Sequence, residues 1–399
     1  MPDFGVVALD SETRRFVVEM REFLDANLPA KPGGRAFVLS EDAPNPDVIA
    51  LLASRGWIMP RWPVEAGGAG LDQLKARLLE LELARRDASV PGGMRLAVGP
   101  VQRHGSAELK AEVLPLIPQG KAMVSLGYTE PDNGSDAAAA KTRAELVGDE
   151  WLINGQKIFT TSAHFADYCW LITRTNTSVP KHKGLTMFLI PMHLPGIDVR
   201  PLMTLGRGRS NVVYLSDVRV PDKYRVGPVD GGWVVAGTTL DEGHGVAIEE
   251  DEHLSPINGL GWVATTALER VLEVAVEWAR HTRLPDGSRP KDNADVRRRL
   301  AQVALDIEVC WSTPGEMGRV VAADTLVRTV ADVADLIGPA SVLPAGADGA
   351  VADGVIEEAQ RFAQASLTFG GTVEIFRNNI AQRHLGLPKP PPPAAKSPG

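Results

Sequence analysis

The sequence predicts an α+β protein in which helices form both ends of the chain and strands form the middle. Apolar residues recur at helical spacing in the first third, as between Phe16 and Leu24. From Met123 to about Val220 the chain changes to short β-branched and aromatic runs. Helical spacing returns near Trp233. We therefore expect an N-terminal helical domain over 1–121, a central β domain over 122–228, a C-terminal helical domain over 229–387 and a tail over 388–399.

Two helices are expected early in the N-terminal segment. One has its apolar face at Phe16, Val17, Met20, Phe23 and Leu24, and the other carries Leu78, Leu79, Leu81 and Leu83. The stretch MPRWPVEAGGAG between them is too rich in Gly and Pro for regular structure, so it is predicted to be a loop.

The middle segment contains four strand-like runs, WLINGQKIFTT, YCWLITRT, LTMFLIP and NVVYLSDVRVP. Asn154-Gly155 lies inside the first of them. A type I′ turn needs positive φ at both central residues, which Asn and Gly tolerate, so this dipeptide predicts a hairpin.

The helices expected in the C-terminal segment include Ala267–Arg283 and Val296–Trp311, with a final one near Val355–Thr368. Arg297, Arg298 and Arg299 are expected to form a solvated helix face, with phosphate contact as the alternative. The closing PKPPPPAAKSPG has too little apolar surface to bury and is predicted to be disordered.

Composition limits the possible functions. The chain is 44% apolar and 23% charged, as in ordinary globular proteins, and its net charge of -8 argues against nucleic-acid binding. Cys169 and Cys310 are too few for a disulfide framework or a Cys-rich metal site, so no metal is expected. Without a signal-peptide pattern or a long apolar stretch, we expect a cytoplasmic protein with no membrane span.

Hydroxyl and aromatic residues gather between Tyr128 and Thr175. Thr129, Ser135 and Thr161 lie beside glycines and predicted strand ends, where they can hydrogen-bond a ring's carbonyls and nitrogens, and Phe159 offers an apolar face. The alternative is a hairpin with ordinary Thr-rich strands. The ring that these side chains suit is that of a flavin. No dinucleotide-binding G-x-G-x-x-G or P-loop is present, so a flavin nucleotide would be bound by another type of site.

The segment from Tyr128 to Thr175 resembles the middle-domain signature of acyl-CoA dehydrogenases. Its sequence is YTEPDNGSDAAAAKTRAELVGDEWLINGQKIFTTSAHFADYCWLITRT. Four other stretches resemble other parts of that family: GWIMPRWPVEAGGAGL, HGSAELKAEVLPLIPQGKA, LSDVRVPDKYRVG and FGGTVEIFRNNIAQRHLGLPK. The resemblance implies the three-part fold, FAD as cofactor and an acyl-CoA substrate.

The resemblance also implies roles for individual residues. Tyr128 and Thr129 would contact the flavin ring, Ser135 would border flavin and acyl-CoA, and Phe159 and Thr161 would cover the other face. Phe159 replaces the family's usual Trp, so stacking area is kept and the indole donor is lost.

Two further residues match FAD-contacting positions of the family near the C-terminus. They are Thr372 and Glu374. Their alternative roles are a turn hydroxyl and a solvated charge at a helix start.

The family's chemistry removes a proton α to a thioester carbonyl while a hydride leaves the β carbon for flavin, so it needs a carboxylate base. In many members this Glu precedes the Gly-Thr of the C-terminal motif, where this chain has Gly370. A second branch places it where this chain has Gly243. Glu242, one residue earlier, is the first candidate base and Asp241 the second; the alternative for Glu242 is a helix-entry acid stabilised by the helix dipole.

Departures from the common pattern suggest a heteromer. An insertion of about a dozen residues follows Glu242, with an acidic run over Glu249–Glu252 that we expect to be a solvated loop. Thr282 and Pro285 stand where the family's inter-subunit Arg and Phe bind the neighbouring FAD. The chain thus resembles the heteromeric branch that handles sterol-derived thioesters.

The resemblance implies a homologous partner subunit and an electron-transfer flavoprotein as electron acceptor. The alternatives are a catalytically silent subunit that supplies flavin contacts, a related flavin oxidase or monooxygenase, and a flavin-free structural protein.

Overall fold

A computed structural model describes residues 9–28, 43–86, 88, 90, 93–206, 208–243, 261–313 and 315–388. Over these residues the predicted α+β fold is confirmed, with helices, then a sheet, then helices. The exact domain boundaries stay predictions. The acidic run Glu249–Glu252 and tail residues 389–399 lie outside the described residues.

The N-terminal part is helical, as expected. The helices are α1 (Ser11–Asn27), α2 (Pro46–Ser54), α3 (Gln73–Ala84), α4 (Gly93–His104) and α5 (Ala107–Val113). Two of them begin at aspartate caps, where Asp10 accepts from Thr13 N at 2.7 Å and Asp72 accepts from Lys75 N at 2.8 Å. The predicted apolar faces of α1 and α3 are buried through Leu24 and Leu79.

The middle part is an eight-stranded sheet of β1 (Val124–Gly127), β2 (Arg143–Val147), β3 (Glu150–Lys157), β4 (Tyr168–Arg174), β5 (Leu185–Pro191), β6 (Ile197–Met203), β7 (Arg209–Pro221) and β8 (Arg225–Val226). The strand order is β6-β7-β3-β2-β4-β5-β8, and β1 pairs in parallel with β4. Strands β4 and β5 are buried along their whole length, which explains their continuous apolar runs. Their side chains share one hydrophobic core with the N-terminal helices.

The hairpin predicted at Asn154-Gly155 is wrong. Strand β3 runs through both residues, and the turn between β2 and β3 lies earlier, at Gly148, which has φ +69°. Asn154 and Gly155 form an irregularity in the pairing of β3 with β7. There the Asn154 side chain accepts from Asp217 N at 2.8 Å and donates to Asp217 Oδ1 at 3.0 Å. A Cβ at position 155 would lie 2.6 Å from Thr142 Oγ1, so close packing also requires the glycine.

The C-terminal helices are α6 (Gly232–Gly243), α7 (Gly261–His281), α8 (Ala294–Ser312), α9 (Gly315–Ile337), α10 (Val355–Ser366) and α11 (Val373–Asn379). Helices α7 to α10 enclose a second hydrophobic core. The three predicted helices are present as α7, α8 and α10, but α10 is not the final one, because α11 follows it. In the described part of the chain, no helix combines the length and apolarity needed to cross a bilayer.

The expected solvated face at Arg297–Arg299 is wrong for one residue. Arg299 is largely covered and donates to Asp332 Oδ1 at 2.5 Å and to Asp335 Oδ2 at 3.0 Å, which joins α8 to α9. Arg298 pairs locally with Asp295 on the helix surface.

Candidate functional site

Two chain segments that carry predicted flavin contacts meet at the ends of β1 and β3. Tyr128 and Thr129 follow β1, and Phe159 and Thr161 follow β3. The two segments are joined by a hydrogen bond from Ile158 N to Thr129 O at 2.9 Å. The structure therefore brings these two pairs of residues, which are 30 to 33 positions apart in sequence, to one end of the sheet.

The segment after β3 forms a tight, unusual turn. Phe159 has φ +57° and Ser162 has φ +68°, a left-handed conformation that is uncommon for residues other than glycine. Thr161 N donates to Phe159 O at 3.0 Å, which closes the turn. The Phe159 side chain is 57% exposed, and Thr161 is half-buried. The turn thus offers an apolar ring and a hydroxyl-bearing residue to whatever binds there.

Tyr128 and Ser135 lie beside this turn on the segment after β1. The Tyr128 hydroxyl accepts from Trp170 Nε1 at 2.8 Å, so its ring is fixed against β4. Gly134 lies next to Thr129, since an added Cβ would be in ordinary van der Waals contact with Thr129 Cγ2 at 3.9 Å. Ser135, the next residue, is exposed.

A buried ion pair connects the two segments. Lys157, at the end of β3, donates to Glu130 Oε1 at 2.7 Å. The same carboxylate accepts from Lys141 N at 2.6 Å and from Thr142 N at 2.9 Å. Burial opposes the charged carboxylate, but the Lys157 charge and these hydrogen bonds outweigh it and lower the pKa of Glu130 below its ordinary value. Burial lowers the pKa of Lys157.

Arg174 holds the loop that carries Ser135. Its guanidinium donates to Ala138 O at 2.5 Å, to Ala140 O at 3.2 Å and also to Lys181 O. Three carbonyl acceptors therefore take the place of a carboxylate partner, and the loop is fixed to the end of β4.

The C-terminal pair of predicted contacts lies at the start of α11. Thr372 caps this helix, with its hydroxyl accepting from Ile375 N at 3.4 Å, and Glu374 is exposed in the first turn. Its carboxylate accepts hydrogen bonds from its own backbone N–H and from Thr372, and these lower the pKa of Glu374. Both contacts are local and agree with the alternative roles, so the FAD contacts of Thr372 and Glu374 stay predictions.

A buried arginine fixes the turn before α11. Arg319 of α9 donates to Phe369 O at 3.0 Å and also to Ser366 O, and it lies near the rings of Phe369 and Phe376. Burial lowers its pKa to about 10. Immediately after this turn, Gly370 has φ +64° and Gly371 has φ +102°.

Asp241 and Glu242 lie in the last described turn of α6, a helix that begins at Gly232. The helix-entry role considered for Glu242 is therefore wrong. Their side chains lie outside the described residues.

The departures at Thr282 and Pro285 fall in an ordered turn after α7. Thr282 N donates to Trp278 O at 2.9 Å, and Leu284 N donates to Ser288 O at 2.9 Å. Arg283, the residue after Thr282, donates to Gly287 O at 3.3 Å.

The residues at the ends of β1 and β3 fit a flavin ring. Thr160 Oγ1 and Asn133 Oδ1 are buried and lack hydrogen-bond partners, so donor and acceptor capacity remains in this region. The exposed Phe159 ring supplies an apolar surface, and Thr129 and Thr161 supply hydroxyl groups. Such a set of few polar groups around an apolar face is typical of cofactor sites.

Sequence reasoning missed the residues that support this site, among them Asn211. Asn211 of β7 is fully buried and binds Thr160 through both its backbone and its side chain. No local motif marks this contact, because the two residues are far apart in sequence.

Family comparison agrees with this arrangement. Residues 10–121 match the acyl-CoA dehydrogenase N-terminal domain and residues 125–219 match the middle domain. Acyl-CoA dehydrogenase FadE26 of Mycobacterium tuberculosis is 31% identical over 367 residues, which cover 86% of this chain and 88% of the relative.

Two solved structures cover nearly the whole chain. The ChsE4-ChsE5 complex from Mycobacterium tuberculosis matches with a TM-score of 0.81 and 27% identity over 97% of this chain and 100% of the other. A structure described as "Tcur3481-Tcur3483 steroid ACAD" matches with a TM-score of 0.80, the same identity and the same coverage.

Proposed function

Because the chain belongs to the acyl-CoA dehydrogenase family, we propose that it is one subunit of a heteromeric FAD-dependent acyl-CoA dehydrogenase. The reaction forms an α,β double bond in the acyl chain of a CoA thioester. The proposed substrate is a bulky, sterol-derived acyl-CoA, and the proposed partner is a homologous acyl-CoA dehydrogenase subunit.

The observation that carries this proposal is the pair of turns after β1 and β3. At these turns Thr129, Ser135 and Thr161 hydrogen-bond the flavin ring, while Tyr128 and Phe159 cover its apolar surface. Bound FAD would accept the hydride that leaves the β carbon of the substrate. The chain's own contribution is to orient the ring, exclude water from its face and keep the supporting loops fixed.

The two-subunit assembly is supported by the solved structures. Both full-length structural matches described above carry names of paired proteins, and one of them is described as a steroid enzyme. The loss of the common Arg and Phe at Thr282 and Pro285 supports the same conclusion, since a partner would have to supply the missing contacts.

Two candidate functions differ in where the catalytic base lies. In the first, Glu242 removes the α proton, with Asp241 as second choice. In the second, the chain is a silent subunit that supplies flavin contacts only. The glycines at both family base positions, Gly370 and Gly243, support the second.

The protein is also proposed to be cytoplasmic. An electron-transfer flavoprotein is proposed as its electron acceptor. The two cysteines, Cys169 and Cys310, are buried free thiols, which suits a reducing compartment. Burial raises the pKa of both thiols to about 11, so neither is a reactive nucleophile at neutral pH.

The proposal is tested by producing the chain together with candidate homologous subunits. We expect a stable complex with visible flavin absorption and FAD released on denaturation. Anaerobic addition of a steroid acyl-CoA should bleach the flavin bands, whereas free CoA should not. A complex without flavin would contradict the cofactor assignment, and a fully flavinated, active assembly of this chain alone would contradict the heteromer.

A further inference from the structure

The turn over residues 158–162 is held in a conformation that it would not adopt by itself. An aromatic residue at φ +57° is a genuine outlier, and a second left-handed residue, Ser162, follows three positions later. Such outliers persist only where surrounding contacts fix the backbone on both sides.

Both neighbours of Phe159 are fixed by hydrogen bonds. Before it, Ile158 N donates to Thr129 O at 2.9 Å. After it, Thr160 N donates to Asn211 O at 3.0 Å, and Thr160 O accepts from Asn211 Nδ2 at 3.0 Å. Asn211 therefore holds both backbone polar groups of Thr160, and Phe159 lies between two fixed peptides.

The orientation of the Asn211 amide is set by its other partners. Arg209 Nε donates to Asn211 Oδ1 at 3.1 Å, so the oxygen faces Arg209 and the nitrogen faces Thr160. The same nitrogen lies 3.2 Å from His164 Nδ1. Because an amide nitrogen only donates, His164 Nδ1 is the acceptor in this contact.

We propose that Asn211 is a positioning residue for FAD. This inference rests on the proposed function. By holding Thr160, Asn211 keeps Phe159 left-handed, so that the Phe159 ring and the Thr161 hydroxyl are both directed to the cofactor. Asn211 has no role in proton or hydride transfer; it acts through the backbone of its neighbours.

The first test measures FAD affinity of the complete complex by titration of flavin fluorescence. Asn211→Asp keeps the volume and the Arg209 contact but places an acceptor opposite Thr160 O. Asn211→Ala removes the side-chain bond. Ala163 N also donates to Thr160 O at 3.3 Å, so this carbonyl keeps one partner in either variant. We expect either variant to weaken FAD binding by at least about fivefold, since the loss of one buried hydrogen bond corresponds to roughly that factor.

The matched control is Ser210→Ala. Ser210 precedes Asn211 in β7, is equally buried, and its hydroxyl has no partner. Its removal should leave FAD affinity within about twofold of the unaltered complex, since no hydrogen bond is lost.

The second test separates positioning from a general loss of stability. Asn211→Ala is introduced into Phe159→Ala and into Phe159→Gly backgrounds, which both lack the ring. Alanine at φ +57° still needs to be held, whereas glycine adopts this conformation freely. We expect the loss of FAD affinity caused by Asn211→Ala to persist in the alanine background and to fall below about threefold in the glycine background.

The outcomes are distinguishable. Unaltered FAD affinity in both Asn211 variants, or equal losses in the two backgrounds, would overturn the positioning role and leave the proposed function standing. If the unaltered complex binds no FAD, the proposed function and the positioning role both fail. Should Asn211→Ala prevent folding, Asn211→Asp and the flavin absorption spectrum of its complex decide the question in the same way.

Discussion

Lys157 and Glu130 form an ion pair in the protein interior, with Nζ and Oε1 2.7 Å apart and both side chains at most 5% exposed. The pair joins the end of β3 to the loop that follows β1. It therefore fixes the spacing between the two segments that carry the predicted flavin contacts.

Replacing one member of this pair should be costly. Lys157→Met would leave the Glu130 carboxylate buried without its counter-charge, so we expect the free energy of unfolding to fall by about 3–5 kcal/mol. Urea denaturation of the variant measures this. Lys141→Met is the control, because Lys141 pairs with Asp132 at the surface, where solvent screens the charges, and its removal should matter far less. Equal effects of the two substitutions would refute the role assigned to the buried pair.

Glu112 should make stability depend on pH on the acid side. Burial opposes its charged form, but hydrogen bonds from Lys223, Tyr224 and Tyr168 outweigh burial and lower its pKa. A carboxylate with a lowered folded pKa stabilises the protein above its ordinary value near 4.5, and this stabilisation is lost as the pH falls through the folded pKa. Glu112→Gln should thus be less stable than the unaltered chain at pH 7, with the difference shrinking toward pH 3. Thermal unfolding across this range measures it, and a difference that grows toward low pH would contradict the assignment.

Gly370 should not accept a side chain without cost. At φ +64° an L-residue is strained, so Gly370→Ala and Gly370→Glu should each lower the free energy of unfolding by about 1–2 kcal/mol. Gly237→Ala is the matched control, since Gly237 lies inside α6 with open space around its Cα, and alanine favours a helix. Chemical denaturation should give opposite signs for the two positions. Gly370→Ala at no cost would show that the turn does not require glycine.

Glu242 decides whether the chain is catalytic. If it is the base, Glu242→Gln should slow anaerobic reduction of the flavin by substrate by about 10²–10⁴-fold while FAD stays bound. Glu273→Gln is the control, because Glu273 is an exposed partner of Arg270 on α7. An unchanged rate in the Glu242 variant, measured by stopped-flow absorbance with partner and substrate present, would place the base in the other subunit.

Local pattern predicted most of the fold, since the apolar periods of α1, α3, α7, α8 and α10 and the continuous runs of β4 and β5 are short-range properties. Local pattern failed at Asn154-Gly155. This turn-like dipeptide forms an irregularity in the pairing of β3 with β7, where Asp217 of β7 is the hydrogen-bond partner of Asn154. Helix α9 was not predicted, although Ala322, Leu326, Val330 and Val333 are buried at helical spacing.

The candidate site was predictable only in part. Its hydroxyl and aromatic residues can be read from a contiguous segment, but the contacts that hold them cannot. Asn211, Glu130 and Arg174 bind partners as far as 51, 27 and 36 positions away, respectively. Their importance depends on tertiary geometry, which has no local signature.

The hydrogen bonds of Arg319 have a consequence for local unfolding. Arg319 of α9 binds the backbone at Ser366 and Phe369, before the turn that bears Thr372. Glu316 of the same helix accepts from Asn379 of α11 at 2.8 Å, after that turn. The turn is therefore connected to α9 on both sides. Segments linked in this way open together as one cooperative unit. The turn and α9 should therefore show similar amide hydrogen exchange protection, although the turn lies close to the end of the described chain.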